Sequence, residues 1–204
     1  MRLIIQTGLN VNVVAERDYA CVQAAAQCLV TVPSYIDAYL SAETSATGKY
    51  TDSDMHHVLL EAVPVLLGVL AGEGCGDEEA HTRRWLSSCE EAMHALFHIH
   101  PSPDKLVSTI LTNMYTGLSS VPGYQCSASR LGRFLFVLGQ TALSSLVYTE
   151  HIANHAKKYP VKVYLASSLQ NLRLYSVYIV YSVYSVYSVY SVYSVYSVYS
   201  VYIV

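Results

Sequence analysis

Glu91, His94 and His98 stand three and four residues apart, so on a helix a carboxylate and two imidazoles share one face. Donors at these spacings bind metal ions in helical bundles, where Glu-x-x-His motifs meet across facing helices. Such a centre needs a third or fourth ligand, and the sequence offers no second Glu-x-x-His. His100 precedes a proline at the end of the same segment. The expected reading is histidines that are satisfied locally or face solvent, with a small helical metalloenzyme on Glu91, His94 and His98 as the rival.

The remaining chemistry-bearing residues are sparser. Gly72-x-Gly74-x-Gly76 lacks the GxGxxG or GxxxxGK spacing and follows no strand, so it reads as a helix-ending loop and not as a phosphate cradle. No GxSxG is present to suggest a nucleophile elbow. Cys89 falls on an apolar helix face and reads as packing. Lys157 and Lys158 sit at a helix C-terminus, where cations oppose the negative end of the dipole; contact with nucleic acid is the sharper alternative. No catalytic, cofactor-binding or metal-ligating set is predicted, and no enzymatic activity.

The elements around these residues are helical. Ser127–Lys158 is proline-free, with Leu131, Phe134, Leu135, Leu138, Ala142, Leu146 and Thr149 at steps of three and four. Phe136, Leu143 and Val147 add a second apolar strip, so the helix is expected to be covered on two sides, as inner helices of stacked arrays are. Val11–Val30 predicts one helix with Val14, Asp18, Cys21, Val22, Ala25 and Leu29 on a face, Asp18 being the exception. Pro33 stops it, and a second short helix is expected over Ser34–Ser41.

Asp52 or Ser53 can cap the next helix, which carries Met55, Val58, Leu59, Ala62, Val63, Leu66, Leu67 and Leu70 at helical steps. Pro64 lies inside that run and predicts a kink. Asp77 is the expected cap of a helix with a buried stripe of Trp85, Cys89, Ala92, Met93, Leu96 and Ile99. Ser102-Pro103-Asp104 begins another, whose core face is Leu106, Val107, Ile110, Leu111 and Met114. Helix pairs near 11–42, 53–100 and 103–158 have roughly the spacing of HEAT-type repeats. The fold class expected is all-α: antiparallel helix pairs stacked as an α-solenoid of HEAT/armadillo-like type.

Charge and thiols bound the setting. Residues 1–129 hold 6 basic and 14 acidic side chains, and residues 130–204 hold 6 and 1, so a net −8 precedes a net +5. The basic part is read as a solvated face, with an acidic partner or nucleic acid as the alternative. The five cysteines are odd in number and show no CxxC pair, and Met1–Asn10 has too short an apolar core for a secretory h-region. Reduced thiols in the cytosol or nucleus are expected.

From Tyr175 the chain is almost pure Ser-Val-Tyr. A period of three fits neither 3.6 nor 2.0, so it specifies no amphipathic surface. The tract is free of charge, yet a third of it is serine and tyrosine prefers membrane interfaces, so a membrane partner is not expected. Val and Tyr make it prone to aggregate as strand. Its near-perfect period and abrupt start point to translation of a short tandem DNA repeat. The expected organisation is a helical domain over 1–160, a linker over 161–174 and a low-complexity tail over 175–204.

Two stretches carry a resemblance. Arg84-Trp85-Leu86-Ser87-Ser88-Cys89-Glu90-Glu91-Ala92-Met93-His94-Ala95-Leu96-Phe97, on through Ile99-His100-Pro101 and Pro103–Val107, resembles a HEAT-repeat segment of the condensin complex subunit 1 family, the D-type regulatory subunits of condensin. Arg133–Leu143, then Leu146-Val147-Tyr148-Thr149-Glu150 and Lys157-Lys158, is similar to the family's long helix with its following basic residues. The match covers roughly 50–158, and condensin I and condensin II subunits fit alike. The resemblance implies a fragment of a much longer, non-catalytic scaffold in the nucleus or on chromosomes, with the cytoplasm as a further location. It implies the condensin kleisin subunit and the structural-maintenance-of-chromosomes ATPase subunits as partners, contact with DNA or chromatin, and a part in mitotic chromosome condensation. It implies no small-molecule substrate and transfers no contact residue. The alternative is an unrelated helical-repeat adaptor.

Overall fold

The computed structural model describes residues 1–34, 53–72, 75, 79–119 and 128–158, and all regular structure among them is α-helix. The helices are α1 (Arg2–Gly8), α2 (Val11–Ala15), α3 (Tyr19–Val30), α4 (Ser53–Leu60), α5 (Val63–Ala71), α6 (Glu79–Ile99), α7 (Pro103–Ser119) and α8 (Ala128–Lys158). The chain forms two compact units, Met1–Ser144 and Ser145–Val204, with the boundary inside α8. The expected helix over Ser34–Ser41, the Asp52 and Asp77 caps, the linker and the Ser-Val-Tyr tail lie outside the described residues.

The first unit is built on α6. Trp85, Cys89, Ala92, Met93, Leu96 and Ile99 are all within 1% of complete burial, as the stripe predicts. Each large apolar side chain so buried contributes about 1.5–3 kcal/mol. Helices α3 and α5 cover this stripe, and α7 packs on α5. Three hydrogen bonds fix the direction of α3 on α6. Ser88 Oγ donates to the Tyr19 carbonyl at 2.7 Å, Gln27 Nε2 to Glu91 Oε1 at 2.9 Å and His98 Nε2 to the Val32 carbonyl at 2.6 Å. Residue numbers rise together along both helices, so α3 and α6 run parallel. Helix α5 runs the other way against α6: Trp85 meets Val69 and Gly72 across the intervening turn.

Two of the expected helices are broken in the structure. Val11–Val30 is interrupted at Arg17, whose φ of 60° is left-handed and ends α2. Asp18 then accepts from the Cys21 amide at 3.1 Å and starts α3. The charge that spoiled the apolar face is therefore a cap, which satisfies a free first-turn amide. At Pro64, where a kink is expected, the run divides into α4 and α5 through two turn residues, Ala62 keeping right-handed helical angles. Glu61 and Ala62 amides turn back to Val58 and Leu59, and α5 restarts at Val63. This puts Pro64 in the first turn, where its missing N–H costs nothing. Helix α5 ends at Gly72, with φ 79°, as the glycine-rich stretch predicts.

Helix α1 went unread in the sequence. Gly8 is what lets it seat: a Cβ there would stand 2.5 Å from the Ala25 Cβ of α3. Helix α8 forms where expected, over Ala128–Lys158, but its buried face is different. Buried are Arg133, Val137, Leu138, Thr141, Ser144, Ser145, Tyr148 and Ile152. Of the two apolar strips predicted to be covered, Leu143, Leu146 and Val147 are bare, at 59%, 60% and 65% exposure. Thr141 and Thr149 return their hydroxyls to the Val137 and Ser145 carbonyls at 2.7 Å, so buried threonine leaves no polar group wanting.

Candidate interaction surface and buried thiol cluster

The structure gives Glu91, His94 and His98 separate partners. Glu91 Oε1 takes the Gln27 amide of α3, and its other oxygen stands 4.0 Å from His94 Nδ1, on a half-exposed imidazole. His98 is turned the other way and donates to the Val32 carbonyl at the end of α3. His100 Nδ1 accepts the Ser102 amide at 3.1 Å, which closes the turn into α7. Gln27, Glu91, His98 and Val32 together form a polar seam that sets the register of α3 on α6. Among the described residues no three metal-ligating side chains converge.

The closest gathering of reactive groups lies at the other end of α6. Trp85, fully buried, donates Nε1 to the Val69 carbonyl at 2.8 Å and rests against Gly72, where a Cβ would lie 4.0 Å from its ring edge. The Cys75 amide bonds to the Gly72 carbonyl, and the Cys75 carbonyl accepts from Arg133 Nη1, both at 3.1 Å. The Arg133 side chain also passes 3.8 Å from the position of a Gly72 Cβ, so α8 is held to this turn by a buried guanidinium. Phe136 completes the wall, its ring 6.1 Å from that of Trp85.

Tyr19 and Cys89 close the cluster. Tyr19 is 2% exposed and its hydroxyl finds no hydrogen-bond partner of ordinary geometry; the polar group beside it is the Cys75 thiol. Burial, with added repulsion from a charged Cys75, pushes the Tyr19 phenol up to about 12. Burial also pushes the Cys89 thiol well up, and the nearby Cys75 adds to the shift. The sequence marked Cys89 as packing and passed over Tyr19, Cys75 and Arg133. Only their nearness in space groups them, and no spacing in the chain announces it.

The second feature is the outer strip of α8. Ala128–Asn154 is long and apolar enough, by length and composition, to cross a membrane, and a third of its most apolar window is buried. Residues 134–149 carry no Asp, Glu, Lys or Arg, so the bare Leu143, Leu146 and Val147 lie in an uncharged stretch. Tyr115 of α7, 62% exposed, stands 6.3 Å from the Phe134 ring.

Compared with known proteins, the chain matches no family model, and no solved structure matches it. It is similar to the condensin-1 complex subunit CAP-D2 of Arabidopsis thaliana, at 24% identity over 147 residues. That alignment takes in 60% of this chain, and the chain spans about a tenth of the length of the curated relative it matches. The class that fold and likeness define is an all-α chain with a condensin-subunit-like segment.

Proposed function

We propose that this chain is a non-catalytic scaffold segment of a condensin-type complex, working in the nucleus on chromosomes. The likeness to CAP-D2 carries the reading. The parallel run of α3 and α6, with α5 antiparallel between them in sequence, supports it. Stacking helix pairs by simple translation makes equivalent helices of successive pairs parallel, which is the α-solenoid arrangement. In this reading the work of the fold is to hold a stiff row of helices, and partners dock on its outer residues. Those partners are the kleisin subunit, the structural-maintenance-of-chromosomes ATPase subunits and chromatin. In this reading His98 serves register, and neither His94 nor His98 binds a substrate.

The test is co-expression of the full chain with the kleisin subunit, followed by size-exclusion chromatography and pull-down from nuclear extract. A stoichiometric complex that survives 0.3 M salt is expected. A folded, helical chain that elutes alone overturns the reading and leaves a helical adaptor for other partners. The uncharged stretch of α8 favours one further rival, a membrane-bound protein. Recovery of the intact chain in a carbonate-resistant membrane fraction would establish that instead.

A further inference from the structure

We propose that a second copy of this chain docks on the outer strip of α8, the two α8 helices lying antiparallel about a two-fold axis level with Thr141. The inference goes beyond the condensin-like reading and does not depend on it. Leu143, Leu146 and Val147 are bare along one unbroken helix. By helical register the half-buried Leu135 and Phe136 edge the same face, and Gly132 and Gly139 run down its middle. Neither glycine is needed by its own backbone: among the described glycines only Gly72 has a positive φ. Neither answers to a neighbour, since nothing lies within 4 Å of where a Cβ would stand on either. Glycine inside a helix is less favourable than alanine, and the single chain shows no gain that offsets this. What two glycines in an apolar strip permit is the close approach of a second helix.

Shape and charge select a second copy, laid antiparallel. Centred at Thr141, the pair sets Gly139 of one copy level with Leu143 of the other, so each leucine enters the space over a glycine, twice by symmetry. Leu146 and Val147 come beside Leu135 and Phe136 of the other copy, and Glu150 comes level with Gly132. Charge fits the same course. Residues 1–144 hold 8 basic and 14 acidic side chains, net −6, and residues 145–204 hold 4 and 1, net +3. Parallel helices would set like charge beside like, whereas the antiparallel pair sets the basic end of each copy beside the acidic part of the other. The first turn of α8 holds no acidic residue of its own, and the exposed Glu150 of the other copy approaches that positive helix end. One helix strip is a small interface, so the dissociation constant should be on the order of 10–100 µM. At about 1 µM the chain is then single, and Leu146 and Val147 act on its unfolding as exposed residues.

The experiment is sedimentation equilibrium of the reduced full chain from about 1 to 500 µM, a range that brackets the expected constant. A monomer–dimer equilibrium is expected. Gly139→Leu places its side chain in open space, so helicity by circular dichroism should hold while the dissociation constant rises about tenfold or more. Adding Leu143→Gly to Gly139→Leu exchanges the two positions that face each other, and should return the constant to within about threefold of the parent. A chain that stays single throughout overturns the proposal. So does association that Gly139→Leu leaves in place, which would lie elsewhere, the Ser-Val-Tyr tract included. Failure of the folded double variant to pair again overturns the antiparallel register. A single chain that floats with phosphatidylcholine vesicles assigns the strip to lipid and overturns the proposal as well. Gly139→Leu alone decides whether this strip pairs, even if the double variant loses its helix.

Discussion

Trp85 Nε1 donates to the Val69 carbonyl at 2.8 Å, and the indole that carries it is wholly enclosed between α5, α6 and α8. One side chain thus supplies apolar bulk and ties α5 to α6. Trp85→Phe keeps much of the bulk and drops the bond. The Val69 carbonyl keeps the Gly72 amide as a partner, so the loss should be about 1–2 kcal/mol. Trp85→Ala adds a cavity and should cost about 3–5 kcal/mol. Urea unfolding followed by circular dichroism measures both, and equal losses would show that the hydrogen bond, not the packing, dominates.

Tyr19 makes the protein sensitive to alkali. Its phenol ionises near 10 when unfolded and is pushed up to about 12 by burial in the folded chain. The neutral form is therefore favoured by folding. Stability from this source is whole below pH 10, where both states are protonated, and drains away between pH 10 and 12 as only the unfolded state loses its proton. The buried Cys89 thiol acts in the same direction. A fall on the order of 2 kcal/mol between pH 9.5 and 11.5 is expected from Tyr19 alone. Tyr19→Phe should remove that part of the slope. At pH 7 it should be neutral or stabilising by up to about 1 kcal/mol, since it deletes a buried hydroxyl without a partner. Denaturation midpoints across that range measure both effects.

Gly8 and Asp18 are backbone devices that meet at Cys21. Gly8→Ala would drive a methyl to 2.5 Å from Ala25, so α1 must lift off α3, at a cost of about 1–3 kcal/mol. Asp18→Ala removes the side-chain acceptor for the Cys21 amide and should cost about 1 kcal/mol. Both sites bear on Cys21, whose amide Asp18 caps and whose carbonyl and sulfur lie 3.5 and 3.7 Å from a Gly8 Cβ, so the double variant should depart from additivity by more than about 0.5 kcal/mol. A thermal-melt cycle checks this.

These residues also show what the sequence disclosed. The α6 stripe was legible because its apolar side chains repeat at the helical step and every one faces the core. Asp18 looked like a flaw in an apolar face because a cap is recognised only once the helix boundary is known. Pro64 marked the place where the run divides, because its missing donor and its ring disturb the turn before it, at Glu61 and Ala62. Helix α1 is seven residues long and buries only Ile5 and Gly8, so it carries too little pattern to read. The Tyr19–Cys75–Cys89 cluster joins three separate segments and has no linear signature.

Helix α8 shows where periodicity misleads, and it carries the last prediction. The apolar count assigns Leu146 and Val147 to covered strips, yet both are more than half exposed. Val137, Thr141, Ser144 and Ser145 are buried in their place. Small hydroxyl residues permit close approach of neighbouring backbone, and threonine satisfies itself on its own helix, so hydropathy under-rates them as core. Val137→Ala should therefore cost about 1–3 kcal/mol, the worth of a buried valine less what the site recovers by collapse. Leu146→Ala and Val147→Ala should fall within about 0.5 kcal/mol of the parent chain, as exposed substitutions do. Ser144→Ala should be neutral or slightly stabilising, because its enclosed hydroxyl has no partner. Chemical unfolding of the four variants decides between the two faces. Losses at Leu146 and Val147 that match the loss at Val137 would mean that the outer strip is covered in solution and that hydropathy had read the helix correctly.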